Sequence, residues 1–254
     1  MKIEDSLKEK NLHSPFGGWG AISLSEMDSV KLMDRVDQKF LIPIDLLEAI
    51  LTELQPHYRI LEINDQRLCA YETLYYDTAD LQLYHAHQSK RLNRYKVRYR
   101  NYVASKLAFF EIKHKTNKGR TKKTRIKQES DENNERNGVF LDSSTPLIYN
   151  NLKEIMWVNY SRMTLVSKTT NERLTIDLDL TFKNDLKEVN YRKFAIAEVK
   201  QERIGTSIFT DLMRKFDLRE GSISKYCLGI ISLYENVRHN NFKAKLRKIK
   251  ALEK

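Results

Sequence analysis

Alternation dominates the middle of the chain. Basic residues occupy every second position at Arg94, Lys96, Arg98 and Arg100, the pattern resumes at Glu111, Lys113 and Lys115, and it returns at Lys123 and Arg125. Strand side chains point to opposite faces in turn, so this period predicts three strands, over 91–103, 107–116 and 120–128, each with one charged face. A shorter alternation places Arg35, Asp37 and Lys39 opposite Val36, Phe40 and Ile42, which predicts a first strand over 36–42. Residues 58–63 and 68–77 are rich in β-formers, among them Tyr71, Tyr75 and Tyr76. Further strands are predicted over 156–168 and 173–182, joined by a hairpin at Thr170 and Asn171, and over 191–201.

Helical spacing is confined to shorter stretches. Leu46, Leu47, Ile50, Leu51 and Leu54 share a face after Pro43, which suits a first helical turn. Helices are also predicted over 80–88, near 146–154, over 207–216, and over 223–234 through Tyr226, Ile230, Leu233 and Tyr234. Residues 129–138 are polar and read as a mobile connection. Three units follow: an arm at 1–28 around Trp19, a main domain at 29–236 and a basic tail at 237–254.

About eight strands joined mostly by hairpins predict an α+β protein, a closed eight-stranded antiparallel β-barrel with flanking helices, because closure removes exposed edges. Charged faces recur on most strands, so the expected interior is a wet tunnel lined by Arg and Lys. Such a lining needs an anion. Two like charges about 5 Å apart repel by roughly 3 kcal/mol at an effective dielectric near 20.

Composition narrows the choice of anion. A net charge of +11 favours a phosphate-bearing partner. Part of that charge lies in the tail, where Arg238, Lys243, Lys245, Arg247, Lys248, Lys250 and Lys254 face Glu253 alone. Phe242, Leu246 and Ile249 recur there at helical spacing, as in a membrane-surface helix, a polyphosphate guide or a plain solvated extension. Cys69 and Cys227 stand in apolar contexts that suit a reducing compartment, and no 18-residue apolar run appears, so a cytoplasmic location is expected, with peripheral contact at the inner face of a membrane through the tail as an option. Aromatic residues among the bases form no recognisable stacking platform, which argues against nucleic acid.

The ordered set RVDQKF at 35–40, YYDT at 75–78, KVRYRNY at 96–102, FFEIKHK at 109–115, KKTR at 122–125, YSR at 160–162, RLTIDLDLTF at 173–182, AEVK at 197–200 and SKY at 224–226 resembles the VTC domain. That family is the polyphosphate polymerase branch of the triphosphate tunnel metalloenzymes. The resemblance implies transfer of the ATP γ-phosphoryl group to a growing polyphosphate chain, with Mn²⁺ or Mg²⁺ assisting. It also implies phosphate contacts from Lys39, Arg98, Arg100, Lys113, Lys123, Arg162, Arg173, Lys200 and Lys225. Glu198 matches the metal carboxylate, and Lys96, Lys115 and Arg125 share faces with matched residues. ATP or another nucleoside triphosphate and inorganic polyphosphate are the implied partners. A tripolyphosphate or nucleoside triphosphate hydrolase and a non-catalytic polyphosphate binder remain alternatives.

Other residues carry competing readings. Arg35 stands where hydrolytic relatives carry the first Glu of Glu-x-Glu-x-Lys, which moves the balance from carboxylate towards phosphate holding or simply leaves Arg35 outside the mouth. His85 and His87 diverge on a helix, and His114 should point away from the tunnel. Asp177 and Asp179 are expected on one strand face, with Asp177 orienting a base such as Arg173 or assisting the metal. Glu111 is expected to pair with Lys113 or a cross-strand Arg.

Overall fold

Strands with one charged and one apolar face assemble into a single curved sheet, seen in a computed structural model that describes residues 18–29, 36–129, 134–202, 205, 207–221 and 224–253. In chain order the elements are β1 (Ala21–Ile22), α1 (Leu24–Ser29), β2 (Val36–Pro43), α2 (Ile44–Leu54), β3 (Tyr58–Leu61), β4 (Cys69–Thr78), α3 (Gln82–Gln88), β5 (Arg94–Tyr102), β6 (Leu107–Lys115), β7 (Thr121–Gln128), α4 (Asn134–Ser144), β8 (Leu152–Ser167), β9 (Glu172–Lys183), β10 (Glu188–Tyr191), β11 (Phe194–Gln201), α5 (Ile208–Lys215), α6 (Lys225–Leu233) and α7 (Lys243–Leu252). Main-sheet order is β2-β11-β9-β8-β4-β5-β6-β7, with β1, β3 and β10 attached at the side.

The expected closed barrel is therefore not formed. The 11-stranded sheet is open, and among the described residues its end strands β2 and β7 do not pair. The composition of β7 explains this: Lys122, Arg125 and Lys127 are exposed, Lys123 keeps a third of its side chain in solvent, and a Lys-rich edge resists pairing with another strand. Alternation and hairpins specify a curled antiparallel sheet but carry no signal for its closure. The α+β class stands.

Other boundaries shift for local reasons. Helix α4 begins inside the segment expected as a connection, 129–138, and is anchored beyond it by fully buried Leu141, while the helix expected near 146–154 is a single 3₁₀ turn, Tyr149–Asn151, leading into β8. The strand expected over 191–201 divides into β10 and β11 around a turn whose Lys193 carbonyl accepts from the Ile44 amide at 2.9 Å. Asp179 lies within β9 in the left-handed region (φ 51°), and the β8–β9 register slips beside it, so the strict alternation joining it to Asp177 is broken.

Two apolar layers sandwich the sheet. On the convex side Phe40, Ile42, Leu174, Ile176, Ala197 and Val199 pack under α2 and α5. On the concave side α6 fills the end formed by Met156, Phe182 and Phe194. It approaches closely because of Gly229, where a Cβ would fall 2.6 Å from both Met156 Sδ and Phe182 Cδ1. Helix α7 also packs on the body. Ile249 is buried, Phe242, Leu246 and Leu252 join the apolar cluster that also holds α6, and the Lys193 amide donates to Glu253 Oε1 at 3.2 Å. The apolar stripe of the tail is thus used against the protein itself. No helix among the described residues is long and apolar enough to cross a membrane. Ahead of β2, Trp19 is buried and β1 pairs in parallel with β3; Gly17 and the rest of 1–17 lie outside the described residues, as does Arg35.

Candidate functional site

Strand register turns the alternating bases into columns. Lys96 lies opposite Lys113, Arg98 opposite Glu111, and Arg94 opposite Lys115, while Lys113 and Glu111 in turn face Lys123 and Arg125. Across the cup, Lys39 faces Glu198, and Lys200 faces both Asp37 and Arg173. Curling brings the two walls within reach, since Lys113 on β6 is subject to the charge of Glu198 on β11.

Three ion clusters line the concave face. On the β5–β7 wall, Arg98 donates through Nε and Nη2 to Glu111 Oε2 at 2.8 and 2.5 Å, and Lys123 pairs with the other oxygen. Glu111 is fully buried; burial opposes its charge, but Arg98 and Lys123 hold its carboxyl down at about 2. On β8–β9, Arg162 forms a two-pronged contact with Asp177 at 2.5 and 2.8 Å, and Lys225 from the start of α6 donates to the same carboxylate. Asp177 is held at about 2 against burial by Arg162 and Lys225, so the bases it orients include these two. On β2–β11, Lys39 and Lys200 reach Glu198 Oε1 at 3.0 and 2.9 Å. Asp37 shares a hydrogen bond with Glu198, and its carboxyl is raised by burial and by that neighbouring negative charge.

The lysines show the cost of crowding cations in a buried place. Lys113 is held well below its usual value by Arg98, burial, Arg100 and Lys96. Burial pushes Lys123 and Lys200 down to about 8 despite their carboxylate partners. Burial disfavours an ammonium and neighbouring cations disfavour it further, so these lysines hold their protons weakly, and an anion beside them would strengthen that hold.

A tyrosine floor supports the cations. Tyr71 and Tyr160 stack with centroids 5.3 Å apart. Arg162 lies 4.9 and 5.2 Å from these rings, Arg100 5.8 and 5.9 Å, and Lys225 4.7 Å from Tyr160. Tyr75 Oη accepts from Arg98 Nη1 at 3.4 Å, and Thr73 Oγ1 accepts from Arg100 Nε at 3.1 Å. Tyr71, Thr73 and Tyr75 are alternate residues of β4, a signal present in the sequence but read there only as strand-forming bulk. Behind them, Asp77 accepts from the amides of Thr78, Leu83 and Tyr84 and from Tyr226 Oη, tying α3 and α6 to the sheet.

Not every expected site residue joins a cluster. Arg125 is exposed and lies 4.2 Å from the Phe109 ring, level with Glu111 midway along the wall, whereas Lys115 and Arg94 lie at one end of it. Lys96 sits 5.7 Å from the Tyr226 ring beside the helical plug. His87 bonds the Tyr95 carbonyl at 3.0 Å and accepts from Arg94 Nε at 3.2 Å. Its pKa falls to about 3 through burial and nearby Lys96 and Arg94, so it stays neutral and engaged. His114 stacks on Tyr95 outside the channel.

Among the described residues a metal ion has one matching place. Asp37 and Glu198 are adjacent carboxylates on neighbouring strands, and the hydrogen bond between them marks where a cation could replace a proton. No group of three or more His, Cys, Asp and Glu side chains that could hold a metal occurs among the described residues. A pair fits Mg²⁺ or Mn²⁺, hard ions that retain waters and take their remaining ligands from phosphate.

A curled antiparallel sheet with a cation-lined concave face defines the class of fold. The VTC domain model matches residues 34–234, and the chain belongs to that family. Among solved structures, a candidate adenylate cyclase from Bacillus halodurans is 16% identical, with 80% of this chain and 98% of that one covered at a TM-score of 0.52, which indicates a shared fold. A candidate adenylyl cyclase from Hippeastrum, described as having a dominant triphosphatase activity, is 14% identical, with 82% and 100% coverage at a TM-score of 0.48. No curated protein matches the chain.

Proposed function

We propose that this protein is an ATP-dependent polyphosphate polymerase. The observation that carries this reading is the engagement of the channel carboxylates: Glu111 is held by Arg98 and Lys123, Asp177 by Arg162 and Lys225, and Glu198 by Lys39 and Lys200. Hydrolysis needs a base to activate water, whereas the terminal phosphate of an acceptor chain is already an anionic nucleophile. A site rich in held cations therefore suits phosphate-to-phosphate transfer.

In this reading Arg98, Arg100, Lys113 and Lys123 bind one stretch of phosphate, and Arg162, Lys225, Lys200, Arg173 and Lys39 bind the other. An oxygen of the acceptor's terminal phosphate attacks the γ-phosphorus of ATP, the bond to the β-bridging oxygen breaks, and ADP departs. The chain's own residues supply in-line positioning and neutralisation of the equatorial oxygens, the main requirements of phosphoryl transfer. Asp37 and Glu198 would hold Mg²⁺ or Mn²⁺, which supplies Lewis-acid stabilisation when bound. Arginine forks suit fixed phosphates, while lysines can follow a moving chain.

The test is incubation with ATP and Mn²⁺ or Mg²⁺, followed by separation of products by chain length. Polymer with equal ADP supports the reading. Orthophosphate without polymer identifies a hydrolase, and tight binding without turnover identifies a binding protein.

A further inference from the structure

The basic columns do not stop where the β5–β7 wall ends. Residues 89–96 and 115–123 contain nine Lys and Arg and no Asp or Glu. Their central parts are the β5-leading loop, with Lys90 and Arg91, and the β6–β7 turn, with Lys118 and Arg120. All four side chains are exposed, and among the described residues none pairs with a carboxylate. The two loops are joined directly, since the Asn117 amide donates to Asn93 Oδ1 at 3.0 Å. The Thr116 amide closes the turn onto the Arg120 carbonyl at 2.8 Å.

This strip continues the channel. The concave column runs Arg100, Arg98, Lys96, Arg94, a length of about 20 Å at strand rise, and Arg94 Nη1 then donates to the Arg91 carbonyl at 2.7 Å. Helix α6 plugs the apolar half of this end but only flanks the basic wall, with Tyr226 beside Lys96. Helix α7 borders the same end. Asn241, at its approach, donates to the carbonyl of Gln88, the residue before the loop, at 2.8 Å, and Lys245 acts on Cys227 together with Lys96 and Arg94. Unneutralised like charges held together by backbone bonds gain most from a ligand carrying many closely spaced negative charges.

We propose that Lys90, Arg91, Lys118 and Arg120 form an external strip that holds the part of a linear polyphosphate chain extending beyond the channel. This deepens the polymerase reading and rests on the channel binding phosphate chains. A triphosphate is shorter than the 94–100 column and does not reach the strip, whereas a long chain occupies both. The strip therefore sets a preference for long product over short primer and retains the chain between additions.

The experiment compares the wild-type protein with K90Q/R91Q/K118Q/R120Q, measuring affinity for tripolyphosphate and for long-chain polyphosphate at fixed salt. The expected result is a loss of about tenfold for the long chain, summed from exposed pairs that are individually weak. Tripolyphosphate affinity stays within about twofold. Equal losses for both ligands, or none for the long chain, overturn the strip. If wild-type protein binds tripolyphosphate but no more tightly when the chain is long, the strip fails and the channel reading stands. Binding of neither ligand overturns both. Single-stranded nucleic acid and vesicles of anionic phospholipid serve as further probes, and a larger loss for either than for polyphosphate also refutes the proposal.

Discussion

Filling the channel with phosphate should take up protons from solution. Lys123 and Lys200 are pushed down to about 8 in the free protein, so at pH 8 each is about half protonated. A phosphate oxygen beside each ammonium favours the charged form and returns it towards the ordinary lysine range. Each then takes up about half a proton, about one together, and Lys113, also depressed, adds to the uptake. The sign follows from linkage: the bound state holds more protons, so affinity falls as pH rises, by about tenfold per pH unit for one proton. At pH 6 Lys123 and Lys200 are already charged, and their share of the uptake vanishes. Titration calorimetry with metal-free tripolyphosphate at pH 8, in buffers of different ionisation enthalpy, measures the uptake directly. The ligand adds little there because terminal phosphates lose their second proton near pH 6. Lys200→Gln should remove about half a proton of uptake. Heats independent of buffer at pH 8, together with affinity flat from pH 7 to 9, would refute the electrostatic account of the empty channel.

Glu111→Gln leaves buried Arg98 and half-buried Lys123 without their carboxylate, so the empty protein should lose about 3–5 kcal/mol. Calorimetric Tm should show that loss and its partial recovery with tripolyphosphate; an unchanged Tm would mean the pair is not load-sharing. Gly229→Ala drives a methyl into Met156 and Phe182 and should cost about 1–3 kcal/mol in urea unfolding, with no cost showing that α6 is not seated on the sheet. Arg162→Lys removes the fork on Asp177 and should cut polymer synthesis about tenfold, measured as ADP release, while retaining the positive charge.

Much of the site was legible because a strand's two-residue period is written directly into the sequence. The columns at 94–100, 111–115 and 123–125 could be assigned to one face without coordinates, and of the two partners expected for Glu111, Lys113 or a cross-strand Arg, the structure shows the Arg, Arg98. What could not be read was pairing at a distance. Asp177 engages Arg162 and Lys225 because β8 and α6 meet beside it, a relation with no local signature. Nor does β4 announce that Tyr71 will stack on Tyr160, or that Asp77 will join α3 to α6. The left-handed residue at Asp179 broke an alternation that looked uninterrupted, and a helix starts inside the polar 129–138 stretch, held by buried Leu141, by Phe140 on Phe110 and by Asn137 bonded to Gln128. Closure was the largest miss: an edge remains an edge when its charges are long, solvated and alike.

That β2 and β7 do not pair among the described residues bears on how, in the polymerase reading, a polyphosphate chain would enter and leave. A sealed ring must be threaded from a free end, and a chain inside it leaves only by sliding out. A cup with an unpaired seam accepts a strand side-on, so a polyphosphate blocked at both ends by bulky groups should bind as readily as one with free ends. The sheet then resembles a gutter more than a pipe, and retention depends on the grip of its cations rather than on topology.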